Sequence, residues 1–125
     1  MDGPARVLVI EDDPPFRELL VELLSSSGYA VTTTESVLGA TTLVKELHPR
    51  AIVLDLGLPY RSGASLLGSL KADPSTGDIP VIVVSGLADA LPLELEAKAS
   101  AVFSKPLQPQ ALLDALERAC AEEAD

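Results

Sequence analysis

The chain has 125 residues, which is room for one domain with one sizeable core; 47% of them are hydrophobic and only 3% aromatic, so aliphatic side chains must fill that core. The formal net charge of −10 argues against direct binding to nucleic acid, which needs a basic face, and suits simple solubility, a basic partner or a bound cation. The single cysteine, Cys120, excludes a disulfide framework and a thiolate metal site. Met1-Asp2-Gly3-Pro4 lacks the basic start and apolar run of a signal peptide, and no apolar run approaches the roughly 20 residues of a membrane span. The expectation is a soluble, reducing, cytoplasmic setting with no membrane contact.

In chain order, Arg6-Val7-Leu8-Val9-Ile10 reads as a buried strand that ends in Glu11-Asp12-Asp13. Pro14 and Pro15 follow; Asp13 is expected to cap a helix starting at Pro14, with Phe16, Leu19, Leu20, Leu23 and Leu24 forming its apolar face. Ser25-Ser26-Ser27-Gly28 stops it. Tyr29 to Thr34 alternates only partly and reads as an edge strand. Ser36 is expected to cap a second helix over 37–47, closed by Pro49. Ala51-Ile52-Val53-Leu54 is a short, doubly buried strand running into Asp55, and Gly57 and Pro59 mark the turn after it.

Ser62-Gly63 leads into a third helix carrying Leu66, Leu67 and Leu70, ending near Asp73-Pro74. Ile79-Pro80-Val81-Ile82-Val83-Val84 is a further buried strand, ending in Ser85-Gly86. A helical stretch over 89–97 is interrupted by Pro92. Ala101-Val102-Phe103 is a short strand before Ser104-Lys105-Pro106, and a last helix over 109–122 carries Leu112, Leu113 and Leu116. A βα unit repeated five times implies an α/β fold with a parallel sheet and helices on both faces. The wholly apolar runs belong in the middle and 29–34 at an edge, which gives the flavodoxin-like strand order 2-1-3-4-5 with its cleft between strands 1 and 3.

That topology brings Glu11, Asp12, Asp55, Ser85 and Lys105 to one crevice at the carboxyl ends of the strands. Adjacent strands lie roughly 4.8 Å apart, so the three carboxylates repel one another unless a cation lies between them. Hard oxygen ligands and an open position suit Mg²⁺ with a phosphoryl group. Asp55 is then a candidate nucleophile that forms an acyl phosphate, Lys105 a counter-charge to the transferring phosphoryl oxygens, and Ser85 a hydrogen-bond partner for them after transfer. Asp55 alone would be read as a turn acid; the company it keeps reverses that reading. Glu11 and Asp12 also suit the positive end of the first helix. Asp13 is assigned to the cap, the lone His48 to a solvated helix end, and Cys120 to partly buried packing.

Nearly the full length of the chain resembles the receiver domain of two-component response regulators, the CheY-like family. The resemblance rests on Val-Leu-Val-Ile-Glu11-Asp12-Asp13, on Asp55-Leu-Gly-Leu-Pro59 with Gly63 four positions on, on Ser85-Gly86 and on Lys105-Pro106. It implies that Asp55 is the phosphoacceptor, that Glu11 and Asp12 organise Mg²⁺ together with Asp55 and the Gly57 main-chain carbonyl, that Ser85 is the switch hydroxyl, and that Lys105 binds the phosphoryl group. It implies a histidine kinase or histidine phosphotransfer protein as donor, a downstream protein effector as target, and a switch of exposed surface as output. Residues 1–125 are then expected to be a single receiver domain with no output domain, and the last helix and fifth strand offer pairing surfaces for a homodimer.

The chain departs from the family at three places. Val102 stands where the family usually has an aromatic, and Phe103, one residue later, should face the other way. The segment from Ser85 to Lys105 is shorter than usual, contains Pro92 and lacks the usual glycine before the fifth strand, so helix 4 is expected to be short or irregular. Gly57 and Leu87 occupy two positions where polar side chains can orient an attacking water, so self-dephosphorylation is expected to be slow.

Two other functions remain open at this point. A pseudo-receiver would use the same fold as an adaptor without phosphorylation, but its mark, loss of the acids or of Lys105, is absent. A Mg²⁺-dependent phosphatase would want a second acid two residues after its nucleophile, where this chain has Gly57. No Gly-rich nucleotide-binding motif is present.

Overall fold

The computed structural model describes residues 3–57 and 63–124. Their elements follow in the order β1 (Arg6–Ile10), α1 (Pro14–Ser26), β2 (Ala30–Thr34), α2 (Val37–Leu47), β3 (Ala51–Leu54), α3 (Gly63–Ala72), β4 (Val81–Ser85), a 3₁₀ turn (Ala88–Ala90), α4 (Leu93–Glu96), β5 (Ala101–Ser104) and α5 (Pro109–Ala124). The strands form one parallel sheet in the order β2-β1-β3-β4-β5. The flavodoxin-like expectation therefore holds, with the half-buried β2 at one edge and the fully buried β3 and β4 inside. Leu58–Ser62, which hold the expected Pro59 turn and the residue before α3, lie outside the described residues.

Strand alternation splits the core between the two faces of the sheet. Leu8, Ile10, Ile52, Leu54, Val81 and Val83 pack with Val37, Ala40 and Val44 of α2 and with Leu66, Leu67 and Leu70 of α3. Val7, Val9, Val53, Ile82 and Val84 face Leu20 and Leu24 of α1 and Leu112, Ala115 and Leu116 of α5. Val102 belongs to the first face and Phe103 to the second, as alternation requires.

The caps fall where the sequence places them. The Asp13 carboxylate accepts the Phe16 N–H at 3.2 Å, and Ser36 Oγ accepts the Gly39 N–H at 3.4 Å. His48 ends α2 in the left-handed region, exposed, with φ of 46°. Cys120 is half-buried against the α1/α5 side.

Two local expectations shift and a third holds. Leu19 is 50% exposed and is not part of the apolar face of α1, whose buried stripe follows Leu20 and Leu24 four residues apart. β4 begins at Val81, leaving Ile79 and Pro80 buried in the preceding turn. The fourth helix is cut in two. Leu91 is extended before Pro92, as the residue before a proline prefers, so the 3₁₀ turn and the four-residue α4 stay separate.

Candidate functional site

The sheet register assembles the site. Ile10 pairs with Leu54, so Glu11 and Asp55 each step off the end of neighbouring strands. Ser85 pairs with Ser104, so Lys105 follows beside it, and the Lys105 N–H reaches the Ser85 carbonyl at 3.3 Å. The Asp55 N–H is fixed by the Ile10 carbonyl at 3.0 Å, and the Glu11 N–H by the Thr34 carbonyl at 3.1 Å. The side chains thus leave from backbone that the ladder already holds.

Gly63 explains the glycine of the Asp55 motif. Its N–H donates to the Leu56 carbonyl at 2.8 Å. A Cβ at this position would overlap the Asp55 carbonyl oxygen and come within 2.7 Å of Leu56 Cα. Helix α3 can start this close to the end of β3 only without a side chain there.

Glu11, Asp12 and Asp55 each bring one carboxylate oxygen within 4.8 Å of the others. Glu11 is buried and Asp55 is 8% exposed, whereas Asp12 is half-buried and Gly57 exposed. Glu11 Oε2 accepts the Asp13 N–H at 3.2 Å, and Asp55 Oδ1 accepts the Gly57 N–H at 3.3 Å. Lys105 Nζ lies 3.3 Å from Glu11 Oε1 and 3.9 Å from Asp55 Oδ2. Burial pushes the Glu11 carboxyl up to about 7, and the neighbouring Asp55 adds to the rise; the Asp13 N–H and Lys105 pull the other way without reversing it. Glu11 is therefore a carboxyl whose anionic form lacks sufficient positive charge nearby. An all-oxygen donor set with one buried, destabilised carboxylate and an open rim fits a hard divalent cation such as Mg²⁺.

Ser85 is fully buried, and its Oγ accepts two N–H groups, from Leu56 at 3.3 Å and from Leu87 at 3.0 Å. A hydroxyl has two lone pairs and one proton. With both lone pairs engaged, the capacity left to Ser85 is its O–H donor, which suits an anionic oxygen arriving at Asp55.

One contact was not foreseen from the sequence. Lys105 Nζ sits over the Phe16 ring, 4.2 Å from its centroid. Helical periodicity assigns Phe16 to the apolar stripe of α1 and does not reveal the cation above it.

On the β4–β5 side the rim is apolar. A Cβ built on Gly57 would lie 3.4 Å from Leu87 Cδ1 and 4.0 Å from Asp55 Oδ2, so position 57 lies between the Leu87 side chain and the Asp55 carboxylate. Leu56, Ala64, Leu87, Ala90 and Leu91 line a small apolar depression on this side. Farther out, where an aromatic at position 102 would sit, a wider depression of about 480 Å³ lies between Leu91, Pro92, Leu93 and Val102.

Residues 7–117 match the family model described as the response regulator receiver domain. The chain belongs to this family. Among the curated relatives of this receiver, protein Rrf1 of Nitratidesulfovibrio vulgaris is 34% identical over 119 residues, covering 94% of this chain and 84% of that protein. The phosphate regulon transcriptional regulatory protein PhoB of Pseudomonas aeruginosa is 33% identical over 113 residues, covering 89% of this chain but only 49% of PhoB. The receiver thus spans about half the length of PhoB. Among solved structures, a sensor protein from Polaromonas sp. JS666 superposes with a TM-score of 0.88 at 30% identity, covering 94% of this chain and 97% of that one. The receiver domain of sensor histidine kinase PA1611 from Pseudomonas aeruginosa, described as having a magnesium ion coordinated in its active-site cleft, superposes with a TM-score of 0.83 at 25% identity, covering 95% of this chain and 99% of that one. Membership places the chain among the signalling receivers of two-component systems rather than among conventional enzymes. Among the described residues no helix is long and apolar enough to cross a membrane.

Proposed function

We propose that this receiver takes a phosphoryl group from a histidine of a kinase or phosphotransfer protein onto Asp55 and thereby changes its affinity for a downstream protein. The observation that carries the reading is the meeting of Lys105 with Glu11 and Asp55, at 3.3 and 3.9 Å, beside a buried hydroxyl whose remaining capacity is to donate. An Asp55 carboxylate oxygen attacks the phosphorus, the P–N bond to the donor histidine breaks, and its electron pair returns to the imidazole nitrogen, which takes up a proton. The product is an acyl phosphate. Lys105 leaves its carboxylate partners to hold a phosphoryl oxygen, and Ser85 donates its O–H to another. Glu11, Asp12, Asp55 and the Gly57 main-chain carbonyl are the groups that would hold Mg²⁺, which supplies positive charge to oppose that of the phosphoryl oxygens. Gly57 and Leu87 offer no polar side chain to orient a hydrolytic water, so the phosphorylated form is long-lived. Residues 1–125 act as one receiver unit.

The test is incubation with Mg²⁺ and acetyl phosphate followed by intact mass measurement. Wild type gains one phosphoryl group and Asp55→Asn gains none. An adduct that persists in Asp55→Asn overturns the assignment. A second reading, an adaptor that never becomes phosphorylated, is supported by Val102, which among the described residues leaves Ser85 without an aromatic partner on its own face of the sheet. A wild type that takes no phosphoryl group and binds no Mg²⁺ selects it.

A further inference from the structure

The Lys105 ammonium is held by unlike groups. Two are anionic, Glu11 at 3.3 Å and Asp55 at 3.9 Å; the third is the neutral face of Phe16, 4.2 Å away. The place of Phe16 is set by rigid backbone. Pro14 and Pro15 begin α1, the Asp13 carboxylate fixes the Phe16 N–H at 3.2 Å, and the ring packs against the core shared by α1 and α5. The cleft thus contains an aromatic platform whose position is set by the start of α1 and by the core behind it.

The chemistry of that platform differs from that of any alternative. An aromatic face attracts a cation through its quadrupole, yet it carries no net charge and offers no oxygen to compete for the three N–H donors. A carboxylate there would hold Lys105 as well, but would compete for those donors and repel an incoming phosphoryl anion. An aliphatic side chain would remove water from the ammonium and give nothing back.

We propose that Phe16 is a positioning residue for Lys105. It keeps the ammonium over the Asp55 carboxylate while leaving its N–H groups to the phosphoryl oxygens. The proposal rests on Asp55 being the phosphoacceptor.

The test compares wild type with Phe16→Leu, Phe16→Tyr, Lys105→Met and the double variant Phe16→Leu/Lys105→Met, each first shown to be folded by thermal melting. Three quantities are read: the ring-current shift of the Lys105 ε-methylene by ¹H–¹³C NMR, the rate of Asp55 phosphorylation by acetyl phosphate, and the Kd for Mg²⁺ alone. Phe16→Leu is expected to lose the upfield methylene shift and to slow phosphorylation about two- to five-fold, with Mg²⁺ affinity unchanged. Phe16→Tyr restores both shift and rate, and in the Lys105→Met background Phe16→Leu slows nothing further. Equal rates in wild type and Phe16→Leu overturn the proposal, as do parallel losses of rate and Mg²⁺ affinity, which would mark a general disturbance of the cleft. A wild type without an adduct overturns the phosphoacceptor reading itself, and the positioning proposal with it.

Discussion

The two sides of the cleft are built differently. On the β1/β3 side, Glu11 and Asp55 leave adjacent strands at a fixed register, Asp13 caps α1 directly behind them, and α3 is pressed onto the end of β3 at Gly63. On the β4/β5 side, the crossover is a 3₁₀ turn and a four-residue helix separated by Pro92, with Leu87 53% and Leu93 82% exposed. The side that holds the acids has little freedom, and the side that faces outward has few contacts to restrain it. Local stability follows buried contact, so under the proposed function the acids sit on the stiff part, Ser85 and Lys105 reach them from the ends of β4 and β5, and any change of surface falls to the loose crossover between those two strands. Breaking the stiff side should therefore cost stability and chemistry together, and changing the loose side should alter lifetime with the fold intact.

Gly63→Ala is the severest way to break the comparison. The new methyl meets backbone atoms of Asp55 and Leu56, which cannot rotate away as a side chain could. The expected loss is about 3 kcal/mol in urea unfolding, with acetyl phosphate labelling of Asp55 abolished even in the protein that remains folded. A stable, normally phosphorylated Gly63→Ala would show that the end of β3 is not rigid.

Glu11 gives the next effect, and its sign follows from proton linkage. Its folded value of about 7 lies above its ordinary 4.5, so between these two the folded protein binds more protons than the unfolded chain. The metal-free protein is favoured by this group below about 4.5 and loses that contribution as pH rises through 7. The amount is on the order of 3 kcal/mol. Glu11→Gln should remove the loss, making the variant more stable than wild type at pH 8 in EDTA while the two converge toward pH 5. The same change should weaken Mg²⁺ binding. Urea titrations at the two pH values check this, and a wild-type advantage at pH 8 would show that Lys105 outweighs burial at this carboxyl.

Much of this contrast is legible in the residues themselves. Wholly apolar Val7–Ile10, Ala51–Leu54 and Val81–Val84 identify the inner strands, because only a strand covered on both faces can be apolar throughout. Once they are adjacent, the acids, Ser85 and Lys105 must converge, since each is the first polar residue beyond its strand or lies just past it. Alternation places Val102 and Phe103 on opposite faces, and Pro92 announces the break in the fourth helix. The rest depends on distances that spacing does not encode. Phe16 and Leu19 occupy the same apolar pattern, yet one covers a cation and the other lies half in water. The Ser85 lone pairs are taken by Leu56 and Leu87, residues brought to it by the turns after β3 and β4. Gly63 looks like any glycine at a helix start until the approach of α3 is measured.

Leu87 joins the two sides and gives the smallest but most discriminating effect. Its N–H anchors Ser85 Oγ at 3.0 Å, while its side chain lies over position 57 at the edge of the Asp55 carboxylate. Water approaching the proposed acyl phosphate past position 57 meets the Leu87 side chain, which cannot accept its proton. Leu87→Gln keeps the main-chain bond to Ser85 and the length of the side chain, and adds one carbonyl acceptor and one amide donor at the rim. Orienting a water is a weaker service than taking its proton, so the gain should fall below that of a general base. The half-life of phosphorylated Asp55 should shorten about tenfold, corresponding to ~1.4 kcal/mol in the hydrolytic barrier, with melting temperature and labelling rate unchanged. A wild-type half-life of seconds, or an unchanged half-life in Leu87→Gln, would mean that water reaches Asp55 from the acidic side, and that the apolar rim contributes nothing to the persistence of the signal.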